Sequence, residues 1–386
     1  MMKKVISKMN IPLLLLMLVY SVFGLIMIFS ASSVTAVLRY GYDSNHFFVR
    51  QLVWLLGSYF IGFIILFIPT KFYRFVSKIA MYGIIGVLAL IFFAGSIAGG
   101  AKSWYDTGLF SIQPTEFAKI ILIVYMAVYY NKIASKKNMT FMQFFWPIIL
   151  AALLFVLIAM QPDLGGAIIV FLITIMLFFS LPFGKGHKKN VLKLGVGGVV
   201  VGLAALLLFG GNLLEPYQVR RLTEFSNPCQ RYSDESGYQV CNGYIAIHNG
   251  GLFGVGLGDS TQKYSYLPEA HTDFIFPIIC EELGAIIGII VVFGYMVMLY
   301  LVLRVAKSTY NIRDSILCYG VFAYMLAHIL INLLGVLGLI PLTGVPLPFL
   351  SYGGSYALSL IVGLFIVHRV NIENKLEKSK QLIKSL

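Results

Sequence analysis

Ten stretches of this sequence are each apolar and long enough to cross a lipid bilayer, whose hydrocarbon core of about 30 Å needs about 20 helical residues. Of the 386 residues, 59% are hydrophobic and 12% are charged. Soluble domains contain roughly 45–50% apolar and about 25% charged residues. These proportions exclude a soluble enzyme, a disordered chain and a disulfide-stapled scaffold. We expect an all-α, polytopic membrane protein in which residues 1–386 form a single transmembrane domain. The predicted transmembrane helices are 11–34, 48–69, 77–98, 114–131, 144–161, 165–183, 191–210, 274–303, 316–340 and 353–370.

Lysine and arginine are unevenly distributed between the two sides of the predicted membrane. Twenty-one of the 29 lie in the N-terminus, in every second loop and in the segment from Arg369 onward, which includes the tail 371–386; only seven lie in the opposite loops. By the positive-inside rule, both termini are predicted to be cytoplasmic. The net charge of +13 is therefore explained by topology, and we expect no nucleic-acid partner. The apolar run 11–29 exceeds the ~7–15 residues of a cleavable signal core, which favours an uncleaved anchor.

The longest polar segment is the predicted outer loop 211–272 between helices 7 and 8. Loops longer than ~12–15 residues are more often functional than mere connectors. Within it, Arg220 and Arg221 suit a pyrophosphate, because guanidinium groups bind phosphates through paired hydrogen bonds; equally, they suit lipid headgroups. Cys229 and Cys241 lie on the oxidising side of the membrane, where a disulfide between them is permitted.

The fourth predicted helix carries two charges that a bilayer tolerates poorly. Glu116 and Lys119 are three residues apart and share one helix face, so they can pair. One interpretation is a neutralised structural ion pair. The other is the polar wall of an outward-facing cavity, with Lys119 available to an anionic ligand. Between helices 5 and 6, Asp163 is predicted to cap the start of helix 6.

The segment 267–276 gives the sharpest chemical signal, since it places Glu269, His271 and Asp273 within five residues at the predicted outer membrane boundary. A partly desolvated carboxylate close to other acids is suited to accept a proton near neutral pH. Glu281 and Glu282 follow about two helical turns later, and a further acid near Asp273 would raise its pKa. The alternative is an ordinary capped helix start with its acids in headgroup water.

Two other segments have a composition that disfavours regular helix. Residues 250–258 contain five glycines, which let the backbone approach a bulky ligand or a helix closely. The connection 341–355 contains three prolines and three glycines, and non-helical backbone at membrane depth is tolerated only where it is buried in protein or lines water. We expect this connection to shape a cavity floor. His328 and Asn332, one turn apart in the ninth predicted helix, are expected to form interhelical hydrogen bonds.

Five motifs, in order along the chain, together resemble the signatures of the SEDS family of shape, elongation, division and sporulation proteins, typified by FtsW and RodA. The resemblance extends over essentially all ten predicted helices, and FSASS at 29–33 resembles the division-type, FtsW-like branch. The motifs are QPTEFAK at 113–119, QPDLG at 161–165, GGLFGVG at 250–256, PEAHTDFIF at 268–276 and PFLSYGG at 348–354.

The resemblance implies a peptidoglycan glycosyltransferase on the outer face of the bacterial cytoplasmic membrane. Such an enzyme transfers a glycan carried on undecaprenyl pyrophosphate to the 4-hydroxyl of lipid II, in cell division or elongation. The implied partners are lipid II and the nascent glycan strand, a class B penicillin-binding protein that acts as the transpeptidase, other divisome or elongasome membrane proteins, and membrane lipids. No cofactor is implied with certainty, although Mg²⁺ or Mn²⁺ could help to stabilise the departing pyrophosphate.

The resemblance also assigns expected roles to individual residues. The family's essential aspartate corresponds to Asp273, and its cavity-lining pair corresponds to Glu116 and Lys119. Trp104 matches a tryptophan of the second outer loop, but Ser103 stands where relatives commonly have Arg, which leaves Lys102 as the neighbouring cation. The residues expected to bind substrate are Glu116, Lys119, Trp104, Lys102, Arg220, Arg221, Glu269, His271 and Ser351.

Two other classes of function are compatible with ten helices and a polar cavity. One is a lipid II flippase or other transporter, although transporters usually place charged sites near the bilayer midplane within paired repeats, and this sequence shows no internal repeat. The other is a non-enzymatic scaffold that recruits a penicillin-binding protein. Synthesis of product in detergent distinguishes an enzyme from both.

Overall fold

The structure is a computed structural model, which describes residues 6–98, 101–106, 108, 111–136, 138–195, 227–232, 235–264 and 266–384. Long helices dominate it, as the composition predicts. The helices are α1 (Ile11–Tyr40), α2 (His46–Ile65), α3 (Tyr73–Ala94), α4 (Pro114–Ala134), α5 (Phe141–Ala159), α6 (Leu164–Ser180), α7 (Glu235–Gly250), α8 (Ile275–Ser308), α9 (Ile312–Val336) and α10 (Gly354–Lys384). Short 3₁₀ turns occupy Thr70–Phe72 and Pro228–Arg231.

Eight of the described helices are long and apolar enough to cross a membrane, which identifies a multi-pass membrane protein. They correspond to predicted helices 1–5 and 8–10. The sixth predicted helix forms the shorter apolar helix α6, of 17 residues. Most of the seventh, 191–210, lies outside the described residues.

Two elements depart from the predicted secondary structure. A small antiparallel sheet precedes α4, with β1 (Ser96–Ala98), β2 (Ala101–Asp106) and β3 (Ser111–Ile112) in the order β1-β2-β3. The segment predicted as an outer loop contains the 16-residue helix α7. Val240 and Ala246 of this helix are buried, and the helix packs on α8. That helix is too short to span a bilayer, so a search for transmembrane runs does not find it.

Helix α9 lies at the centre of the bundle and contacts α4, α6, α8 and α10. In α9 and α10, 72% and 89% of the most apolar stretch is buried within the protein, against 22% in α2. Most side chains of α2 are therefore not buried within the protein. Polar side chains carried by α4 and α9 are held inside protein.

The two termini lie at the same end of the bundle. Lys8 Nζ donates to the Ser379 hydroxyl (3.2 Å) and to the Lys375 carbonyl (3.4 Å), close to the end of α10. Asp273 lies at the opposite end, because the adjacent His271 carbonyl accepts a hydrogen bond from Tyr352 N (2.8 Å), just before α10 begins. A helix of 31 residues is about 46 Å long, which separates these two ends.

Helix α8 is broken at Gly284, which has φ 87° and ψ 164°. The backbone of 251–256 runs alongside the break: Val255 N donates to the Glu281 carbonyl (2.9 Å), and Ala285 N donates to the Gly251 carbonyl (2.9 Å). We call residues 251–256 the strap. It supplies partners for backbone groups that the break removes from the helix, as buried backbone requires. The predicted close approach of these glycines to a helix is confirmed.

Substitution of Gly284 by Ala is expected to destabilise the protein strongly. A Cβ at this position would lie 2.2 Å from the Leu252 carbonyl oxygen, and the positive φ alone costs ~1–3 kcal/mol. Gly83→Ala is the matched control, since a Cβ there meets nothing within 4 Å, and it should change stability by less than ~1 kcal/mol. The thermal midpoint in detergent measures both. Equal midpoints for the two variants would contradict the close packing of strap and break.

Candidate active site

Asp273 lies in a tight turn immediately before α8 rather than within the helix. Thr272 N and Phe274 N both donate to the Glu269 carbonyl at 3.2 Å, which folds the segment back on itself. From α9, Asn332 Nδ2 donates to the Asp273 carbonyl at 2.8 Å. These bonds hold the backbone of the aspartate on both sides, so its carboxylate has a defined position.

The Asp273 carboxylate is almost completely removed from solvent, with 7% of the residue exposed. The Thr272 hydroxyl lies 3.2 Å from its Oδ1, and the ideal Cβ position of Gly344 lies 3.9 Å from its Oδ2. Burial, followed by the neighbouring Glu269 charge, raises the pKa of Asp273 to about 7. Burial and a like charge both disfavour the ionised form, and the result is a carboxyl group that exchanges protons near neutral pH.

The irregular connection before α10 closes around this turn, in keeping with the predicted absence of regular helix. Asn332 Nδ2 also donates to the Val345 carbonyl (2.8 Å), so one amide joins this connection to Asp273. The hydroxyl of Ser351 accepts a hydrogen bond from Leu347 N (2.7 Å) and is buried. The Ser351 hydroxyl therefore stabilises a turn of this connection.

His271 is a buried, neutral neighbour of Asp273. Its ring lies 4.5 Å from the Phe47 ring and 5.6 Å from the Tyr352 ring, between centroids. Burial, and then the charge of Arg39, lower its pKa to about 4. An imidazole with this pKa is neutral at pH 7, so it contributes ring packing rather than positive charge.

The predicted Glu116–Lys119 pair is confirmed, with Lys119 Nζ 2.7 Å from Glu116 Oε1. Helix α9 completes the cluster: Tyr324 donates its hydroxyl to Glu116 Oε2 (3.0 Å), and His328 Nε2 lies 3.3 Å from Lys119 Nζ. In the tautomer that satisfies both of its contacts, His328 donates Nδ1–H to the Pro346 carbonyl (3.2 Å). His328 thus bridges helices as predicted. Lys119 is only 1% exposed, so its ammonium group is fully engaged within the protein.

The Glu116–Lys119 cluster and the Asp273 turn are linked through two adjacent residues of the connection before α10. His328 contacts Pro346 and Asn332 contacts Val345, both by hydrogen bonds to backbone carbonyls. Asn332 therefore bonds to two non-helical carbonyls, which corrects the expectation of an interhelical bond. The arrangement places the α4 ion pair directly behind the segment that lines Asp273.

The remaining predicted residues are two on the small sheet, two arginines and two cysteines. Trp104 is half-buried on β2, and Lys102 lies on the same strand. Arg220 and Arg221 lie outside the described residues. Cys229 and Cys241 are joined by a disulfide, which attaches the 3₁₀ turn Pro228–Arg231 to α7.

Glu281 and Glu282 are committed to contacts away from Asp273. Glu281 accepts from Ser260 and from the Thr261 hydroxyl (2.9 Å), and Glu282 accepts from Ser30 (2.6 Å) and pairs with Lys263 at 3.0 Å. The acid that raises the Asp273 pKa is Glu269, four residues before it. Sequence reasoning missed the role of Lys263; the signal available was a lone lysine in an outer loop followed by two acids at a helix start.

A metal site is not evident among the side chains that the structure describes. In those parts of the chain, no group of three or more His, Cys, Asp or Glu residues is placed to hold a metal ion. The described residues thus do not form a protein cage for Mg²⁺ or Mn²⁺, and we assign no step to a metal ion.

Asp163 caps α6 as predicted, since its carboxylate accepts a hydrogen bond from Gly166 N at 2.8 Å.

Two solved structures share this fold at low sequence identity. The first belongs to a study of structural coordination of polymerization and crosslinking by a peptidoglycan synthase complex; it has a TM-score of 0.74, is 22% identical, and covers 95% of this chain and 98% of its own. The second is the rod shape determining protein RodA of Thermus thermophilus. It has a TM-score of 0.66, is 22% identical, and covers 94% of this chain and 96% of its own. They establish the fold alone.

Sequence comparisons identify the family. A protein of Bacillus subtilis named probable peptidoglycan glycosyltransferase FtsW is 36% identical over 99% of this chain and 95% of its own length. Stage V sporulation protein E of the same organism is 34% identical over 94% of this chain and 96% of its own length. Residues 10–376 match the family described as "Cell cycle protein", that of FtsW, RodA and SpoVE. This chain therefore belongs to the FtsW/RodA/SpoVE family, the SEDS family that its motifs resemble.

Proposed function

We propose that this protein is a peptidoglycan glycosyltransferase that polymerises lipid II at the membrane surface. The observation that carries the proposal is the buried Asp273 carboxyl, whose pKa of about 7 suits a general base at neutral pH. The 36% identity to a probable peptidoglycan glycosyltransferase over nearly the whole chain supports the same activity. A division-type role is favoured by the FtsW relatives.

In the proposed reaction, Asp273 takes the proton from the 4-hydroxyl of the acceptor sugar. The oxygen then forms a bond to the anomeric carbon of the donor, and the bond from that carbon to the lipid pyrophosphate breaks with its electron pair leaving on the phosphate. Attack from the opposite face inverts the anomeric configuration. A positioned general base typically contributes ~10²–10⁴-fold.

Positively charged side chains near the departing pyrophosphate would stabilise its charge further. Arg220, Arg221 and Lys102 are the residues proposed for this task. For Lys119 we propose a structural role instead. It is paired with Glu116 and only 1% exposed, and it holds α4, α9 and the connection before α10 in position. Both substrates are amphiphiles, which suits a site at the boundary of the membrane.

The proposed topology places the Asp273 end of the bundle on the outer face of the cytoplasmic membrane and both termini in the cytoplasm. The concentration of Lys and Arg in the terminal-side loops supports it. The disulfide between Cys229 and Cys241 supports it independently, because disulfides persist in oxidising compartments. The proposed protein partner is a class B penicillin-binding protein, which would cross-link the glycan as it forms.

The direct test is conversion of purified lipid II to glycan strands by the protein in detergent, with and without a class B penicillin-binding protein. An enzyme makes polymer in detergent, where no second compartment exists. A transporter makes none, although it moves labelled lipid II across vesicles. A scaffold also makes none, and it supports growth when Asp273 is replaced. Absence of polymer in both conditions, from properly folded protein, would contradict the proposal.

A further inference from the structure

A buried general base needs a route by which it loses the proton that it has taken up. Asp273 is 7% exposed, its backbone carbonyl is occupied by Asn332, and the connection before α10 lies against its Oδ2 side. If each glycosidic bond leaves a proton on this carboxyl, the next bond waits until that proton has gone. A polymerase that repeats the step many times depends on this exchange.

The side chain of Thr272 lies between two carboxylates. Its Oγ1 is 2.8 Å from Glu269 Oε2 and 3.2 Å from Asp273 Oδ1. A hydroxyl has one proton to donate and lone pairs to accept with. It can therefore donate to one carboxylate while accepting a proton from the other, which is the requirement for a relay. The shared turn on the Glu269 carbonyl keeps the three residues together.

Glu269 is better placed than His271 to receive the proton. The Glu269 side chain is half-buried and so has contact with solvent, whereas Asp273 and His271 are buried. The His271 ring is enclosed by Phe47 and Tyr352, and its pKa of about 4 disfavours a proton there at pH 7. Arg39 of α1 also faces this turn, where it donates to the Pro268 carbonyl at 3.3 Å.

We propose that Thr272 and Glu269 carry the proton from Asp273 to solvent after each bond is formed. This inference rests on the proposed role of Asp273 as general base. In the step, the protonated Asp273 carboxyl gives its proton to Thr272 Oγ1 while the Thr272 hydroxyl gives its own proton to Glu269. Asp273 ends ionised, Thr272 ends unchanged and Glu269 ends protonated, so one proton has moved and no other bond has changed. Glu269 then releases the proton to water.

The test separates the first bond from those that follow, at a pH of about 8.5, where Asp273 starts ionised given its pKa of about 7. With lipid II saturating both substrate sites, rapid quenching within the first turnover measures formation of the first bond, which needs no relay. The steady-state rate measures the later bonds, each of which does. Thr272→Val removes the hydroxyl but keeps the shape. It should leave the first-bond rate unchanged while lowering the steady-state rate about tenfold or more, with the ~10²–10⁴-fold that a positioned proton-transfer group typically contributes as the upper range.

Two further variants keep the result interpretable. Thr272→Ser keeps the hydroxyl and should restore the steady-state rate. Glu269→Gln keeps the hydroxyl but removes the acceptor. Because Glu269 also raises the Asp273 pKa and is expected to bind substrate, the readout for this variant is the ratio of the steady-state rate to the first-bond rate, which should fall as in Thr272→Val even if that variant folds poorly. Equal losses in both regimes, or no loss in either, would overturn the relay. Full activity of Asp273→Asn would instead overturn the proposed general base, so the two failures are distinguishable.

Discussion

Replacement of Asp273 by Asn is expected to lower the rate of lipid II polymerisation by about 10²- to 10⁴-fold, the range typical of a lost general base. The amide has nearly the same shape as the carboxyl group but cannot accept the hydroxyl proton. The Asn332 bond to the residue 273 carbonyl is unaffected, so the variant should fold normally and bind lipid II. Initial rates of glycan formation from purified lipid II measure the effect.

The matched control is Asp259→Asn. Asp259 belongs to the same segment between α7 and α8, but its side chain is exposed. The same change of charge there should leave the rate within about twofold, since surface substitutions usually alter little. Comparable losses in both variants would show that net charge of this segment, rather than the buried base, determines activity.

Replacement of Lys119 by Met is expected to destabilise the protein by ~3–5 kcal/mol, because it leaves one member of a buried ion pair without its partner. Glu116 would retain the Tyr324 hydroxyl at 3.0 Å but would lose the ammonium group at 2.7 Å. Methionine keeps most of the lysine side-chain volume, so packing changes little. The free energy of unfolding in mixed detergent measures the loss.

The double variant Glu116→Gln/Lys119→Met separates the effect of the unpaired Glu116 charge on stability from the effect of the changed side-chain shape. With both charges removed, much of the stability should return, since a buried ion pair is often replaceable by neutral groups at little cost. A double variant as unstable as the single one would indicate that shape, rather than an unpaired charge, is responsible. A single variant as stable as wild type would contradict the burial of this pair.

Much of this arrangement was predictable from local rules of sequence. The apolar runs predict the long helices, and the spacing of Glu116 and Lys119 predicts their contact. Asp163 caps α6 as a short polar side chain before a helix should. The acids at 269 and 273 stand out because charged residues beside a membrane-spanning run are costly.

The rest depends on contacts between residues distant in sequence. Glu281 and Glu282 follow Asp273 closely, yet the strap and its flanking residues draw them to Ser260 and Lys263. The break at Gly284 falls inside the predicted helix 274–303, and although glycine allows a positive φ, a single glycine in an apolar run does not by itself distinguish a break from a continuous helix. The link from Asn332 to both Asp273 and Val345 needs α9 to lie between the two segments. None of these contacts has a periodicity that a sequence pattern can report.

The most direct measurement is the pH dependence of first-bond formation, measured by rapid quenching within the first turnover at saturating lipid II. The pKa of Asp273 is raised to about 7, so the base is ionised above that pH and protonated below it. The rate should be constant at alkaline pH and fall about tenfold for each pH unit below about 7, as expected for one essential ionised group. A rate independent of pH between about 5 and 9, or an acid limb that persists unchanged in Asp273→Asn, would contradict the assignment of Asp273 as the base.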